Sequence, residues 1–151
     1  MPHTDEPIAA DDISALLNAQ WNNYTGHIPE PQWIVASDPN QPIRIELLNA
    51  GDAVIIRLDT PGLEERPIGT WVYGNRTSRV LLEIATVISR QRLYNLMREI
   101  RRICHSQMHS MTNFQRLQFV SFNELTQTTA QFWSGRCVLE VVNFAVLLET
   151  A

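Results

Sequence analysis

The stretch that decides the fold is VLLEIATVISRQRLYNLMREIRRI, from Val80 to Ile103. Its first part is rich in β-branched and aliphatic residues, and it predicts a strand over Arg79–Ile88. Ser89 follows as a helix N-cap, and apolar residues then recur at helical spacing on one face as far as Cys104. The sequence therefore predicts a strand that runs directly into an amphipathic helix, which ends at about His109.

Upstream of this unit, the pattern predicts a short helix and a hairpin. Asp11 or Asp12 can cap a helix that continues to about Asn22, because its apolar residues share one face. Strands are expected over 43–48 and 53–59, since the NAGD between them is typical of a hairpin turn.

Two irregular segments flank these elements. Residues 1–11 are polar and acidic and predict a flexible N-terminus without the features of a signal peptide. Residues 27–42 carry four prolines and predict an extended arm, in which Trp33 needs an apolar surface to lie on.

The stretch AVIIRLDTPGL, from Ala53 to Leu63, contains the Asp-Thr-Pro-Gly of a GTPase switch. A GTPase also needs the lysine of its phosphate-binding loop, and this chain has no lysine: all 12 basic residues are arginine. The motif is therefore interpreted as the end of a strand. Pro-Gly then leads into a projecting loop over residues 60–69.

Downstream, a short strand at Thr70–Tyr73 and a turn at Gly74–Ser78 are expected before the central strand. Two further strands are predicted at Arg116–Glu124 and Cys137–Glu149. The last is apolar on both alternations, so we hypothesise that another subunit covers part of the sheet. The expected fold class is α+β, with a mostly antiparallel or mixed sheet of four to six strands and two helices packed on one face.

Composition places the chain among ordinary globular proteins. Its 151 residues predict a single domain over 1–151, with 44% hydrophobic residues and a net charge of −4. The two cysteines have no paired spacing and predict a reducing compartment, and no apolar run approaches the length of a membrane span. Arginine without lysine suits fixed contacts with carboxylates at interfaces; nucleotide bias in the source genome is the alternative interpretation.

No arrangement of residues indicates catalysis. His105 and His109 have the i, i+4 spacing of a shared metal site, but no third ligand is evident and helix capping explains them. The acidic residues show no pairing that marks acid–base chemistry. We expect no catalytic residues, no cofactor and no metal.

The order of elements around Val80–Ile103 resembles that of tail terminator (tail completion) proteins of tailed viruses. The resemblance extends from about Asp12 to Glu149 and ends at FWSGRCVLEVVNFAVLLE. It implies a non-enzymatic virion protein of the tail or neck, assembled in the host cytoplasm. Its copies would form a homo-hexameric ring that contacts the tail tube protein and the head–tail connector or stopper.

On this hypothesis, subunit or partner contacts are expected at a few positions. They are Trp33 in the arm, Glu64, Glu65 and Arg66 in the loop, and Arg98, Arg101 and Arg102 on the long helix. Glu64 and Glu65 are candidate acceptors for arginines across an interface. The family has no diagnostic motif, so no individual residue is transferred from it.

Other functions remain open on the sequence. They are a small oligomeric ligand-binding domain or enzyme, another neck or tail-tube component, and an RNA-binding α+β domain. Nucleic acid is expected only as DNA passing through the ring, because Tyr94 alone is interleaved with the helix arginines. No membrane partner is expected.

Overall fold

The computed structural model describes residues 7–21, 28–36, 51–67, 73–111, 113–125 and 132–146. Within them the chain has an α+β fold of two helices and one mixed sheet, as predicted. The helices are α1 (Ala9–Gln20) and α2 (Arg90–Ser106). The strands are β1 (Trp33–Ala36), β2 (Asp52–Pro67), β3 (Tyr73–Thr86), β4 (Arg116–Leu125) and β5 (Trp133–Val146).

The five described strands lie in the order β1-β2-β3-β5-β4. β1 runs parallel to β2, and every other pairing is antiparallel. β3 and β5 occupy the middle of this sheet, and their pairing extends over the whole of both strands, from Tyr73 opposite Val146 to Thr86 opposite Trp133.

One face of the sheet packs against both helices. The rows Val54–Ile84 and Val80–Leu139 lie on this face, and all four side chains are almost completely buried. From α2 the stripe predicted by sequence is buried against them, at Leu93, Leu96, Ile100, Ile103 and Cys104. The hydrophobic effect of this shared core holds α1, α2 and the sheet together.

α1 begins earlier than predicted. Ile8 is its N-cap and makes no side-chain capping hydrogen bond, so the expectation that Asp11 or Asp12 caps the helix is wrong. Ala9 and Ala10 are buried in the core and favour helix, which extends the helix toward the N-terminus. Residues 9–11 are thus helical rather than part of a flexible N-terminus, whose first six residues lie outside the described ranges.

α2 begins where the sequence places it. The Ser89 hydroxyl accepts a hydrogen bond of 3.0 Å from the backbone N–H of Arg92, which confirms the predicted N-cap. The helix ends at Ser106, three residues before the expected His109, and Gln107 is its C-cap.

The projecting loop predicted for residues 60–69 is wrong as far as Pro67. β2 continues through it and pairs with β3 again, from Leu63 opposite Ser78 to Pro67 opposite Gly74. Between the two paired stretches, four residues (59–62) stand opposite the single residue Arg79. The Asp-Thr-Pro-Gly segment is therefore a bulge with three extra residues inside one strand. It accommodates a proline and a glycine without ending the strand.

Predictions for the residues next to this segment are also affected, because β3 begins at Tyr73 and pairs along its whole length. The turn expected at Gly74–Ser78 is wrong, because these residues pair on both sides within β3. Tyr73 is the first residue of β3, and the rest of the short strand expected at Thr70–Tyr73 lies outside the described residues. β4 confirms the strand predicted at Arg116–Glu124, and β5 begins four residues before Cys137.

The proline-rich arm is irregular only in part. Residues 33–36 form strand β1, which pairs with β2, so the expectation of an extended arm without regular structure is wrong there. The hairpin strand predicted at 43–48 lies outside the described residues.

Candidate functional site

The second face of the sheet carries no described helix, and its side chains alternate between apolar and charged. Ile55 and Leu81 are buried on it. Glu83 on β3 forms ion pairs with Arg57 of β2 and with Arg136 of β5, the latter at 3.7 Å between Arg136 Nη2 and Glu83 Oε1. We call this surface the helix-free face.

β5 contributes a mixed row of side chains to the helix-free face. Val138 and Val142 are partly exposed there and alternate with the charged residues Arg136 and Glu140. Apolar area is therefore left accessible on this face. Burial of the face by another subunit stays a prediction.

An open cleft of about 380 Å³ lies at one end of the helix-free face, beside the β2 bulge. Glu64, Thr77, Val142 and Arg116 form one row across it, on β2, β3, β5 and β4 respectively. Its remaining charged residues are Arg66, Arg79 and Glu140. We call it the distal cleft.

The charges of the distal cleft are only partly paired. Arg79 Nε lies 3.8 Å from Glu140 Oε2. Arg116 donates a hydrogen bond of 2.7 Å to the neutral amide oxygen of Gln118. Among the described residues, Arg66 and Glu64 have no hydrogen-bond or ion-pair partner. Two guanidinium groups thus face the cleft without an acidic partner in the described part of the chain.

A second arginine surface lies on the exposed side of α2. Arg98, Arg101 and His105 are exposed and follow one another at helical spacing. None of the three has a hydrogen-bond or ion-pair partner among the described residues. We call this set the α2 stripe.

Arg102, which the sequence grouped with the α2 stripe, has a different role. It holds the completely buried carboxylate of Glu99 at 2.6 Å and donates to the backbone oxygen of Gln20 at 3.1 Å. Since Gln20 is the last residue of α1, Arg102 joins the two helices. The structure assigns it to intramolecular packing, so a subunit contact there is not supported.

The sequence-predicted contact residues therefore lie in several places. Glu64 and Arg66 meet in the distal cleft, and Arg98 and Arg101 lie on the α2 stripe. Glu65 projects from the opposite face of β2 and binds Arg76 at 2.7 Å, so it is already engaged within the chain. Trp33 lies on β1 and is 49% exposed.

The sequence predicted only Glu64 and Arg66 of the residues that line the distal cleft. Arg79, Arg116 and Glu140 lie far from Glu64 in the chain, and only the register of β2, β3, β5 and β4 brings them together. Arg116 is the first residue of the strand predicted at Arg116–Glu124, so its position at a strand end could be predicted from the sequence. Its neighbours across the sheet could not be predicted in this way, because no local sequence pattern shows the order in which the strands pair.

A charged network anchors the start of α2 to β4. Arg90 donates to both carboxylate oxygens of Glu124 at 2.8 and 2.9 Å, and the Tyr94 hydroxyl donates to Glu124 Oε2 at 2.7 Å. The hydrogen bond from Arg90 is the main cause that lowers the pKa of Glu124 to about 2. The same carboxylate raises the pKa of Tyr94 through their hydrogen bond. All partners are satisfied within this network, so it is structural.

The residues considered for metal or thiol chemistry are not brought together as a site. Within the described ranges, no group of three or more histidine, cysteine, aspartate or glutamate residues is placed to hold a metal ion. His105 and His109 are both exposed, and His109 Nδ1 lies 3.3 Å from the backbone oxygen of Gln115. Burial raises the pKa of the Cys104 thiol to about 12, and burial with the nearby Cys104 raises that of Cys137. Both thiols are therefore in their neutral form in the core.

No helix among the described residues combines the length and the apolar character needed to cross a bilayer. No protein-family model matches the chain, and no characterised protein matches it. The proposals that follow therefore depend on the surfaces described above and on the order of the elements.

Proposed function

We propose that this chain is a structural virion protein whose copies form a ring that ends the tail tube and joins it to the head–tail connector. The proposal begins from the order of elements, which resembles that of tail terminator proteins over most of the chain. In such a ring the chain acts by shape and contact, and no step of chemistry is assigned to it.

The observation that supports the proposal most is that two surfaces on opposite sides of one sheet could each contact a neighbour. One exposes apolar area, and the other exposes arginines without a described acidic partner. Outside the distal cleft, the helix-free face leaves Val138 partly exposed, and the α2 stripe presents Arg98 and Arg101 without acidic partners in the described chain. A ring requires two different patches on each subunit, one for each neighbour. Surfaces on opposite sides of a subunit meet that requirement, whereas a two-fold dimer would need only one.

The chemistry of the α2 stripe indicates what it would contact. Guanidinium groups bind carboxylates through paired hydrogen bonds. The chain has 16 acidic residues against 12 arginines, so a neighbouring copy offers carboxylates in excess. Such pairs fix the register between subunits more than they increase affinity.

Charge reversal on the α2 stripe tests the ring contact. In Arg98→Glu/Arg101→Glu, we expect the ring to dissociate into smaller species in light-scattering measurements, because carboxylates would then face carboxylates. The control is Arg98→Lys/Arg101→Lys, which keeps both positive charges on the α2 stripe and should leave the ring mass unchanged. If the α2 variant keeps the mass of the unchanged protein, the stripe is not a ring contact.

The tail function itself is tested by imaging with tail tubes. Tubes assembled from the tube protein encoded nearest to this chain's gene should carry a ring at one end in negative stain. Tubes with bare ends at saturating protein would contradict the proposed function. A tail-tube gene and a tape-measure gene beside the coding sequence would support it.

A further inference from the structure

We propose that the distal cleft is a docking site for a carboxylate-bearing segment of a partner protein. The starting observation is that Arg66 and Arg116 lie on opposite walls of the cleft, with no acidic partner among the described residues. The floor between them holds the neutral side chains of Thr77 and Val142 and the ion pair of Arg79 with Glu140. A cleft with an arginine that lacks a described acidic partner on each wall fits an extended chain that carries a carboxylate toward each of them.

The spacing of the walls limits the occupant. β2 and β4 are separated by β3 and β5, so the two walls stand about 14 Å apart at the usual spacing of neighbouring strands. An extended peptide advances about 3.3 Å per residue, so acidic residues about four positions apart would reach both arginines. Each contact can use two parallel hydrogen bonds from one guanidinium group.

The acidic residues of the cleft favour a peptide over nucleic acid. Glu64 stands in the row of Arg116, and Glu140 is occupied with Arg79. A nucleic acid carries a negative charge at every nucleotide and would bring phosphates against both glutamates. A peptide can place neutral residues opposite them, so isolated carboxylates match the cleft better than a continuous polyanion.

The site rests on the proposed function only for the identity of the partner, which would be the tube or the connector protein. Binding is a property of each chain and can be measured whether or not rings form. Failure of peptide binding would therefore leave the ring proposal standing, and failure of the ring would leave the cleft to be judged by itself.

The test is fluorescence anisotropy of the full chain with a labelled glycine-serine peptide that carries two glutamates about four residues apart. We expect saturable binding, and about tenfold weaker binding when both glutamates are replaced by glutamine. Binding should weaken again in about 0.5 M NaCl, because salt screens exposed charges. Equal binding of the glutamate and glutamine peptides, or no binding, would overturn the proposal.

Two variants are expected to change peptide binding in opposite directions, so loss of folding could not explain both results. Arg116→Gln removes a cationic wall and should weaken peptide binding about tenfold. Glu64→Gln removes an unpaired negative charge from the row of Arg116 and should strengthen it. A matched control, Arg98→Gln/Arg101→Gln on the α2 stripe, should bind the peptide like the unchanged protein. Loss of binding in that control, or no change in either cleft variant, would overturn the assignment of the site.

A labelled single-stranded DNA of mixed sequence provides the remaining comparison. We expect it to bind more weakly than the glutamate peptide at equal salt. Tighter binding of the DNA, reduced by Arg116→Gln, would overturn the proposal in favour of a nucleic-acid site.

Discussion

At the scale of single residues, the most deeply buried ion pair among the described residues is that of Asp52 with Arg92. Asp52 Oδ2 accepts from Arg92 Nε at 2.6 Å, and its other oxygen accepts from the backbone N–H of Gln32 at 3.0 Å. Arg92 also donates to the backbone oxygen of Glu30. This one carboxylate therefore joins the start of β2, the start of α2 and the segment before β1.

Asp52→Ala is expected to lower the free energy of unfolding by about 3–5 kcal/mol, because it leaves the largely buried Arg92 without its counter-charge. Urea denaturation measures this loss. Asp11→Ala is the control: Asp11 is exposed on α1, and its replacement should change stability by less than about 0.5 kcal/mol. Equal stability of the two variants would show that the ion pair contributes little.

Glu124 gives the chain a pH-dependent contribution to stability. Its pKa lies at about 2 in the folded chain, below the ordinary value of 4.5, since Arg90 and Tyr94 hold the charged form. The contribution is therefore present above about pH 4.5 and is lost as the pH falls toward 2. The difference in unfolding free energy between the unchanged chain and Glu124→Gln should be large near neutral pH and should shrink at acid pH.

The control for this measurement is Glu64→Gln, at a carboxylate without a partner among the described residues. Near neutral pH, its unfolding free energy should equal that of the unchanged chain within about 0.5 kcal/mol. If the difference for Glu124→Gln does not change between about pH 7 and about pH 2.5, the network does not hold the charged carboxylate.

At the scale of elements, β5 depends on a glycine that sits against an aromatic ring. A Cβ built on Gly135 would lie 2.6 Å from Cε2 of Phe122, on the neighbouring strand β4. Phe122 in turn packs edge-on against Tyr94 of α2, with ring centres 5.4 Å apart. Gly135 therefore allows β4, β5 and α2 to approach one another.

Gly135→Ala is expected to reduce the free energy of unfolding by about 1–3 kcal/mol, because the Phe122 ring must move. Thermal or urea denaturation measures the change. Phe122→Leu in the same protein should recover part of the loss, so that the double variant is more stable than the sum of the single changes predicts. Strict additivity of the two changes would contradict the steric explanation.

The helices and strands also show which structural features can be predicted from local sequence patterns. The cap at Ser89, the apolar stripe of α2 and the strand of β4 follow local patterns, and these predictions are confirmed. The loop predicted after Asp59 was wrong because a Pro-Gly pair has the same local signal in a bulge as in a loop. What decides between them is the pairing of β2 with β3, which no local pattern contains.

At the scale of the whole molecule, the sequence could indicate which residues lie at a surface. It could not indicate which of them lie together in one site. The unpaired arginines of α2 could be found from helical spacing, and two of the three expected there lie on the α2 stripe. Arg102 could not be separated from them, because its hydrogen bond to Gln20 forms only when α1 packs against α2. The distal cleft needed the complete order of the sheet.

The central claim is that copies of this chain assemble into a closed ring. Its most direct test is the mass in solution, measured by light scattering over a wide range of protein concentration and in the presence of tail tubes. We expect a particle with about six times the 17.3 kDa mass of the chain. A mass of 17.3 kDa under all of these conditions would contradict it.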